Sequence, residues 1–338
     1  VLSNVLMEVG DGQLSLTGTD LELELVARLP LEGEHQAGET TVPARKLVDI
    51  AKSLPAEADI RFEVDGERML VRSGRSRFSL ATLPASEFPN QEEDNSGSVL
   101  EIAPHTLRQL IDHTAFSMAQ QDVRYYLNGM LFELRSGMLR AVSTDGHRLA
   151  LCDAALEGQS EEAGVILPRK GVMELARILS DAAENARLTL GRNHIRIVAG
   201  SITFTSKLVD GKFPEYERVI PKDGSRVVMA DRETLRQALS RVAILSNEKY
   251  RGVRVQLSEG SLRIVANNPE QEEAEEEVSV DYQGGPLEIG FNVSYLLDVL
   301  NTMDGTQARL ELGDSNSSAL ITDPEHEAAI YVVMPMRL

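Results

Sequence analysis

The sequence predicts an α+β protein built from three tandem domains of one topology, with antiparallel sheets. Two observations predict this class. Whole segments of the chain recur after about 125 residues, and each copy mixes amphipathic helices with short alternating strands joined by tight turns. A period this long exceeds the roughly 20–50 residues of solenoid repeats, so it indicates repeated globular domains. We place them at residues 1–95, 96–224 and 225–338.

The repeat is visible in short matched segments. Thr19-Asp20 recurs as Thr144-Asp145 and Phe88-Pro89 as Phe213-Pro214, both at an offset of 125. A third copy follows at an offset of 123, where Gly129 corresponds to Gly252. The polar stretches Asn90–Ser98 and Asp223–Arg226 are the expected linkers.

The first copy supplies one predicted helix, Pro43–Leu54, which begins at a proline as helices often do. Its later strands are predicted at Ile60–Val64, Arg68–Val71 and Arg77–Ala81. Helical patterns open before the second and third copies, but none precedes Val1. We therefore expect that the first domain lacks an N-terminal strand and helix here.

The second copy shows the clearest periodicity. Apolar residues at helical spacing predict helices over Thr106–Met118 and from Pro168 to about Leu179. Alternation around Ser136-Gly137 predicts a hairpin. The strands expected in this copy are Met130–Leu134, Leu139–Val142, Leu149–Asp153, Leu188–Leu190, Ile195–Val198 and Thr203–Lys207.

The third copy repeats the arrangement. We predict helices over Thr234–Asn247 and Val293–Thr302. Its expected strands are Val253–Leu257, Leu262–Ala266, Ala308–Leu312 and Ala329–Met334.

Composition narrows the function. The single cysteine, Cys152, excludes an intrachain disulfide and fits a reducing compartment, and no run of 18 apolar residues indicates a membrane span. The net charge of −19 alone argues against nucleic-acid binding. The stretches Pro43–Ser53, Pro168–Leu179 and Glu233–Arg251 each carry two more cations than anions, however, so helices facing one side would form a basic surface on an acidic body.

Several long segments resemble one family, the bacterial β sliding clamps, which are processivity subunits of the replicative DNA polymerase. The resemblance covers the whole chain and is carried by Leu16–Asp20, Gln121–Gly129, Thr144–Leu149, Phe204–Gly211, Asn267–Ala274 and Tyr331–Leu338. It implies the DNA clamp fold, in which two chains close head to tail into a ring. The sheets lie outside, and helices line a hole for double-stranded DNA. The resemblance also implies a cytoplasmic, non-enzymatic protein without cofactor or metal.

The resemblance assigns two sets of contact residues. DNA contacts would be non-specific and come from Arg45, Gln121, Tyr125, Tyr126, Arg169, Lys170 and Arg177. A hydrophobic cleft would bind a short linear peptide from the polymerase, the clamp loader and repair proteins. The cleft set is Leu127, Thr144, Gly146, His147, Arg148, Leu149, Pro214, Arg218, Val219, Asn292, Tyr295, Val332, Met334, Pro335, Met336 and Arg337. Met334 and Met336 could instead be ordinary core residues.

The segment Thr144–Leu149 has a second interpretation as a catalytic or metal site, because Asp145 and His147 stand two residues apart. No further cluster with ligand spacing supports a metal-dependent hydrolase. A structural turn at Asp-Gly is the simpler interpretation, since the first copy has Thr19-Asp20 at this position.

The run Glu270–Glu277 holds six glutamates in eight residues, and its register with the second copy predicts a strand rather than a disordered tract. Arg72, Arg75 and Arg77 lie on a strand of the first copy. These acidic and basic edges would pair head to tail between two chains. The predicted dimer interface comprises Lys46, Arg75, Arg77, Phe78, Leu80, Ile244, Leu245, Glu270, Glu273 and Glu276. An acidic peptide-binding scaffold that never surrounds DNA is the alternative function.

Overall fold

The computed structural model describes residues 1–89, 97–156, 162–180, 185–222 and 224–337. The predicted linkers Asn90–Ser98 and Asp223–Arg226 therefore lie partly outside the described residues. The first repeat contains β1 (Asn4–Gly10), β2 (Gln13–Thr19), β3 (Leu23–Pro30), β4 (Gly38–Pro43), α1 (Ala44–Ser53), β5 (Arg61–Asp65), β6 (Arg68–Ser73) and β7 (Ser76–Ala81).

The second repeat contains β8 (Ser98–Ile102), α2 (Pro104–Thr114), β9 (Gly129–Arg135), β10 (Met138–Thr144), β11 (Arg148–Ala155), β12 (Ala163–Pro168), α3 (Arg169–Leu179), β13 (Ala186–Leu190), β14 (His194–Ala199) and β15 (Ile202–Lys207). The third contains β16 (Arg226–Asp231), α4 (Arg232–Val242), β17 (Gly252–Ser258), β18 (Ser261–Asn267), β19 (Glu273–Ser279), β20 (Leu287–Asn292), α5 (Val293–Thr302), β21 (Gln307–Leu312), β22 (Ala319–Thr322) and β23 (Ala329–Val333).

The strand order confirms the internal repeat. Three groups of four strands share one antiparallel order, β4-β1-β2-β3, β12-β9-β10-β11 and β20-β17-β18-β19. In each group the outer strand leads directly into a helix, α1, α3 or α5. Three three-stranded meanders, β5–β7, β13–β15 and β21–β23, complete the pattern.

The chain packs as two compact units. The first comprises residues 1–104 and 181–208, and the second comprises residues 105–180 and 209–338. In the first unit, β15 pairs with β3 and joins two strand groups into an eight-stranded sheet. In the second unit, β23 pairs with β11 and forms an equivalent eight-stranded sheet.

Two predicted helices end earlier than their apolar periodicity suggests. The α2 helix stops at Thr114, whose φ of −125° leaves helical geometry, and a 3₁₀ turn follows over Ala115–Ser117. Likewise α4 stops at Val242 and passes into the 3₁₀ turn Ala243–Leu245. Met118 and Ala243 remain buried at these turns, whereas Ile244 is 76 % exposed, so the apolar pattern continues beyond the helix although not all of it faces the core.

Helix starts follow local chemistry. The Asp231 side chain accepts a hydrogen bond from the Thr234 amide at 2.8 Å and caps α4. The Asn292 side chain caps α5 through the Ser294 amide at 2.9 Å. Both satisfy amides that have no partner within the helix.

Candidate functional site

The Thr-Asp segments form the same turn in the first two repeats. Asp145 Oδ1 accepts hydrogen bonds from the His147 and Arg148 amides at 2.9 and 3.0 Å. Asp20 Oδ1 accepts two amides at 2.9 and 2.7 Å in the corresponding turn. Because an aspartate stabilises the same turn in both repeats, its role is structural. This favours the turn interpretation of Asp145 over catalysis.

The floor of the predicted cleft is a cross-strand row on one face of the second unit's eight-stranded sheet. Thr144 pairs with Leu149, and Leu149 pairs with Val332. We call these three residues the cleft row. All three are buried, as is Leu127 at 2 % exposure. We predicted these four side chains as cleft residues, and in the single chain the loop 213–219 packs against Leu149 and Val332 through Phe213 and Tyr216. The four side chains would therefore form the floor of the cleft rather than its rim.

That loop, residues 213–219, forms one wall. Phe213 and Tyr216 point inward and pack edge to face, with their ring centroids 6.4 Å apart. Pro214, Arg218 and Val219 point outward, and Val219 is 50 % exposed. The wall thus combines a buried aromatic base with an exposed rim, as the cleft prediction requires.

The end of the chain forms a second wall. After β23, the Met334 amide donates to the His147 carbonyl and the Met336 amide donates to the Gly290 carbonyl, both at 2.9 Å. Met334 is 44 % exposed, whereas Pro335 and Met336 are half-buried. The alternative that Met334 belongs to the core is wrong. An exposed thioether beside an apolar floor suits partners of varied shape.

Arg148 joins the sheet to α5 beside the cleft. Its guanidinium pairs with Asp145 and Asp298 and donates to the Phe116 carbonyl at 3.0 Å. It also lies over the rings of Tyr295 and Phe116, at 4.5 and 5.4 Å from their centroids. A side chain held by so many contacts does not move easily, so Arg148 is a fixed edge of the site.

His147 and Tyr295 form the aromatic rim. Their rings are stacked with centroids 6.4 Å apart and an interplanar angle of 20°. His147 is exposed, while burial, the largest effect, raises the pKa of the Tyr295 hydroxyl. Asn292, another predicted cleft residue, is occupied in capping α5. Arg337 is exposed at the chain end, and Leu338 lies outside the described residues.

The sequence analysis missed Arg124 as a cleft residue. Its guanidinium nitrogens lie 3.1 Å from where a Cβ on Gly146 would stand, and one donates to the Asp145 carbonyl at 3.3 Å. Gly146 has a φ of +87°, which favours glycine, and a Cβ there would also press on the Arg124 guanidinium. Arg124 is itself held by Asp122, and the hydrogen bonds from Arg124 lower the pKa of that carboxyl to about 2. The Asp-x-Arg spacing is the available sequence signal, but it does not reveal the contact with Gly146.

The residues predicted to touch DNA are accessible in both units. In the second unit, Gln121 and Lys170 are exposed, Tyr125 is 57 % exposed, and Tyr126 and Arg169 are half-buried. Arg177 is exposed and donates to Glu174 at 3.0 Å, which offsets part of its charge. In the first unit, Arg45 is exposed on α1. Lys46, which is also exposed on this helix, belongs to the predicted dimer set.

The predicted dimer residues divide into accessible and inaccessible ones. Ile244 is 76 % exposed, and Arg75, Arg77, Glu270 and Glu273 are exposed. Phe78 and Leu245 are half-buried.

Three of the predicted dimer residues are placed differently from the prediction in the single chain. Leu80 is only 7 % exposed and packs in the first unit's core, because strand alternation turns it inward. Glu276 faces α4 and is bound by Arg241 of the same chain at 2.5 Å, so it is not a free acid on the strand edge. Glu270 lies in the turn that precedes β19, not on the strand.

Comparison with known proteins identifies the family. Models of the N-terminal, central and C-terminal domains of the DNA polymerase III beta subunit match residues 1–92, 101–215 and 217–337. The chain belongs to the β sliding clamps. The beta sliding clamp of Pseudomonas putida is 61 % identical over 339 residues, covering 100 % of this chain and 92 % of the relative, and that of Escherichia coli is 55 % identical over 338 residues with the same coverage.

Solved sliding clamps share this fold. A Pseudomonas aeruginosa clamp crystallised with a ligand superimposes with a TM-score of 0.98 at 59 % identity, covering 100 % of this chain and 92 % of that one. Another structure from the same organism, with a TM-score of 0.97, is described as bound to griselimycin. The three-domain α+β clamp fold predicted from the sequence is confirmed.

Sliding clamps are processivity factors and not enzymes. Within the described ranges there is no group of three or more His, Cys, Asp or Glu residues that could hold a metal ion. Among the helices that the structure describes, none is long and apolar enough to cross a membrane.

Proposed function

We propose that this chain acts as a homodimeric ring that encircles double-stranded DNA and tethers the replicative polymerase, and that it does so in the cytoplasm. The full-length match to all three clamp domain models carries the proposal. The proposal includes the division of the chain into three clamp domains, with boundaries near residues 95 and 224. Topological linkage needs only weak, sequence-independent attraction to phosphate, which keeps the ring able to slide.

Strand pairing within the chain supports head-to-tail closure. The third strand of the first group, β3, pairs with β15, and the third strand of the second group, β11, pairs with β23. By the same pattern β19 should pair with the last strand of a meander, and β7 is the one that remains. We infer that β7 of a second copy occupies the β19 edge and that the arrangement repeats to close a ring.

Closure draws on exposed groups at both edges. Arg75 and Arg77 on one copy face Glu273 on the other, and Phe78 packs near Ile244 and Leu245. Because exposed ion pairs contribute little, the apolar contacts carry most of the affinity. Replacing Ile244 and Leu245 with alanine should give monomers at micromolar concentration in sedimentation velocity. Arg75→Ala should mainly change the salt dependence. Unchanged dimers in the double variant would contradict this interface.

Contact with DNA should be additive and independent of sequence. The basic groups are spread along helices and include no cluster able to distinguish base edges. Replacing Arg169 and Lys170 with alanine should weaken direct binding to DNA of any sequence and lower the salt slope of that binding by about two units at most. A strong sequence preference of the unmodified protein would contradict this account.

We further propose that the cleft takes a short linear peptide from the polymerase, the clamp loader and repair proteins. Its apolar floor, exposed Met334 and rigid Arg148 support this. Griselimycin, which is bound in two related clamp structures, should occupy the same cleft. Removing residues 334–338 should abolish polymerase stimulation and griselimycin binding while circular dichroism and dimerisation stay unchanged. Unfolding of the third domain would show that the tail is core instead.

A further inference from the structure

One face of the second unit's eight-stranded sheet carries three consecutive cross-strand rows. The first, which we call the charged row, contains Glu133, Arg140 and Asp153, which are register partners on β9, β10 and β11. The apolar row follows two residues along each strand and contains Leu131, Val142 and Leu151. The cleft row comes next. At about 3.3 Å per residue, the charged row and the cleft floor are roughly 13 Å apart.

The charged row is tightly paired. Arg140 donates to both oxygens of Asp153 at 2.7 and 2.8 Å, the two-point geometry that suits a guanidinium and a carboxylate. The side chains of Arg140, Asp153 and Glu133 are only 17 %, 24 % and 19 % exposed. The charges are therefore partly desolvated, and they hold one another in defined positions.

The cleft wall reaches into this row through one residue. The Tyr216 hydroxyl donates to Glu133 Oε2 at 2.6 Å and accepts from Arg140 at 3.3 Å. Burial, and then the hydrogen bond to Glu133, raise the pKa of Tyr216 to about 12, so the phenol stays a donor throughout the neutral range. Outside the row, Arg135 donates to Glu133 at 2.8 Å and to Glu217 at 2.6 Å. Two consecutive residues of the wall are thus bonded to the sheet.

These two residues immediately precede the exposed rim. Tyr216, Glu217 and Arg218 form a single 3₁₀ turn, and Val219 follows it. Any displacement of the Tyr216 ring moves Arg218 and Val219 through the backbone. We call the Tyr216 side chain, with its hydrogen bonds to Glu133 and Arg140, the anchor. Its ring packs in the apolar cluster with Phe213, so removing the ring would open a cavity, whereas removing the hydroxyl alone would keep the ring in place.

We propose that Tyr216, held by Glu133 and Arg140, is a positioning residue that ties the cleft wall to a charged row about 13 Å from the cleft floor and so sets the height and rigidity of the wall. The inference rests on the proposed function of the cleft as a peptide site. A wall that is fixed before binding loses less conformational freedom on binding, so the anchor raises affinity without touching the ligand.

The test compares two tyrosines. Tyr216→Phe removes only the anchoring hydroxyl. Tyr282→Phe is the matched control, since Tyr282 is equally buried and its hydroxyl donates to the Gly285 carbonyl at 2.6 Å, in a loop that contains no cleft residue. Tyr216→Phe loses two hydrogen bonds to charged groups and Tyr282→Phe loses one to a carbonyl, so both variants should lose stability and Tyr216→Phe should lose more. Only Tyr216→Phe should weaken griselimycin binding, by about three- to tenfold and mainly through faster dissociation.

Hydrogen exchange provides a second readout that needs no ligand. Amides of residues 215–220 should exchange about three- to tenfold faster in Tyr216→Phe and at the wild-type rate in Tyr282→Phe. Glu133→Gln keeps a carbonyl acceptor for the phenol, so it should retain most of the affinity and protection. Equal exchange and affinity in both tyrosine variants would overturn the anchor. Failure of the wild-type protein to bind griselimycin would count against the proposed cleft function, while the exchange result would still decide the anchor.

Discussion

Replacing Arg148 with alanine should be the most damaging single change at the edge of the cleft. The side chain is 12 % exposed and is paired with Asp145 and Asp298, which are 17 % and 42 % exposed. Removing one member of a buried ion pair typically costs about 3–5 kcal/mol. Solvent reaches Asp298, and Asp145 keeps two amide partners, so we expect a smaller loss of about 2–4 kcal/mol.

Calorimetry gives the readout. For a unit of this size, that loss corresponds to a fall of about 5–12 °C in the melting temperature of the transition that reports the second unit. Arg263→Ala is the control, because Arg263 pairs bidentately with Glu275 but both side chains are about half exposed. It should leave the melting temperature unchanged. Arg148→Lys should recover only part of the loss, since an ammonium cannot reproduce the planar fork.

Two results would refute this reasoning. If Arg148→Ala and Arg263→Ala lower the melting temperature equally, then burial and multiple pairing add nothing at Arg148. If Arg148→Ala is stable but no longer binds griselimycin, Arg148 contacts the ligand directly and does not serve as a fixed edge.

Three further predictions concern other parts of the second unit. Burial tends to raise the pKa of Asp323, but hydrogen bonds from the Gly305 and Glu325 amides and from His326 outweigh it and lower the pKa. The stability it contributes is therefore present above the unfolded value near 3.9 and lost as pH falls through the lower folded value. Asp323→Asn should destabilise strongly in urea at pH 7 and progressively less as the pH falls below about 3.9, and a penalty that does not change with pH would contradict this. Leu149→Ala should lower the free energy of unfolding in urea by about 2–5 kcal/mol. Met334→Ala should leave the stability unchanged and weaken griselimycin binding. A loss of stability in Met334→Ala but not in Leu149→Ala would contradict the assignment of Leu149 to the floor and Met334 to the rim. Burial raises the pKa of the Cys152 thiol to about 12, so iodoacetamide should label it only as the unit unfolds, and rapid labelling at pH 8 would contradict its burial.

Local chemistry made much of the fold predictable. The α5 helix has the predicted bounds, Val293–Thr302, because its apolar spacing is regular and Asn292 caps its start. The Thr-Asp turns were recognisable because the same segment recurs after 125 residues. Repetition within one chain thus separated a structural turn from a catalytic motif, which a single copy could not have done.

The side-chain partners were not predictable. Arg148 and Asp298 are 150 residues apart, and neither has a local pattern that points to the other. Leu80 was assigned to the interface together with Phe78, two residues earlier on β7, but in the structure Phe78 is half-buried whereas Leu80 is only 7 % exposed and lies in the core. Glu276 was placed on an open edge because the acidic run conceals which face each glutamate takes, and only the structure shows Arg241 beneath it. Tyr216 carried no signal, because its hydrogen-bond partners, Glu133 and Arg140, lie on two different strands at least 76 residues away.

The central claim is topological linkage to DNA, and one measurement tests it most directly. The protein is assembled on nicked circular double-stranded DNA by a clamp loader, washed at high salt and followed by gel filtration before and after a single restriction cut. The account predicts that the protein co-elutes with the circle despite the salt, because a closed ring does not depend on ionic contacts. It also predicts that the protein leaves once the DNA is linear. Equal retention on circular and linear DNA, or loss from both at high salt, would contradict encirclement.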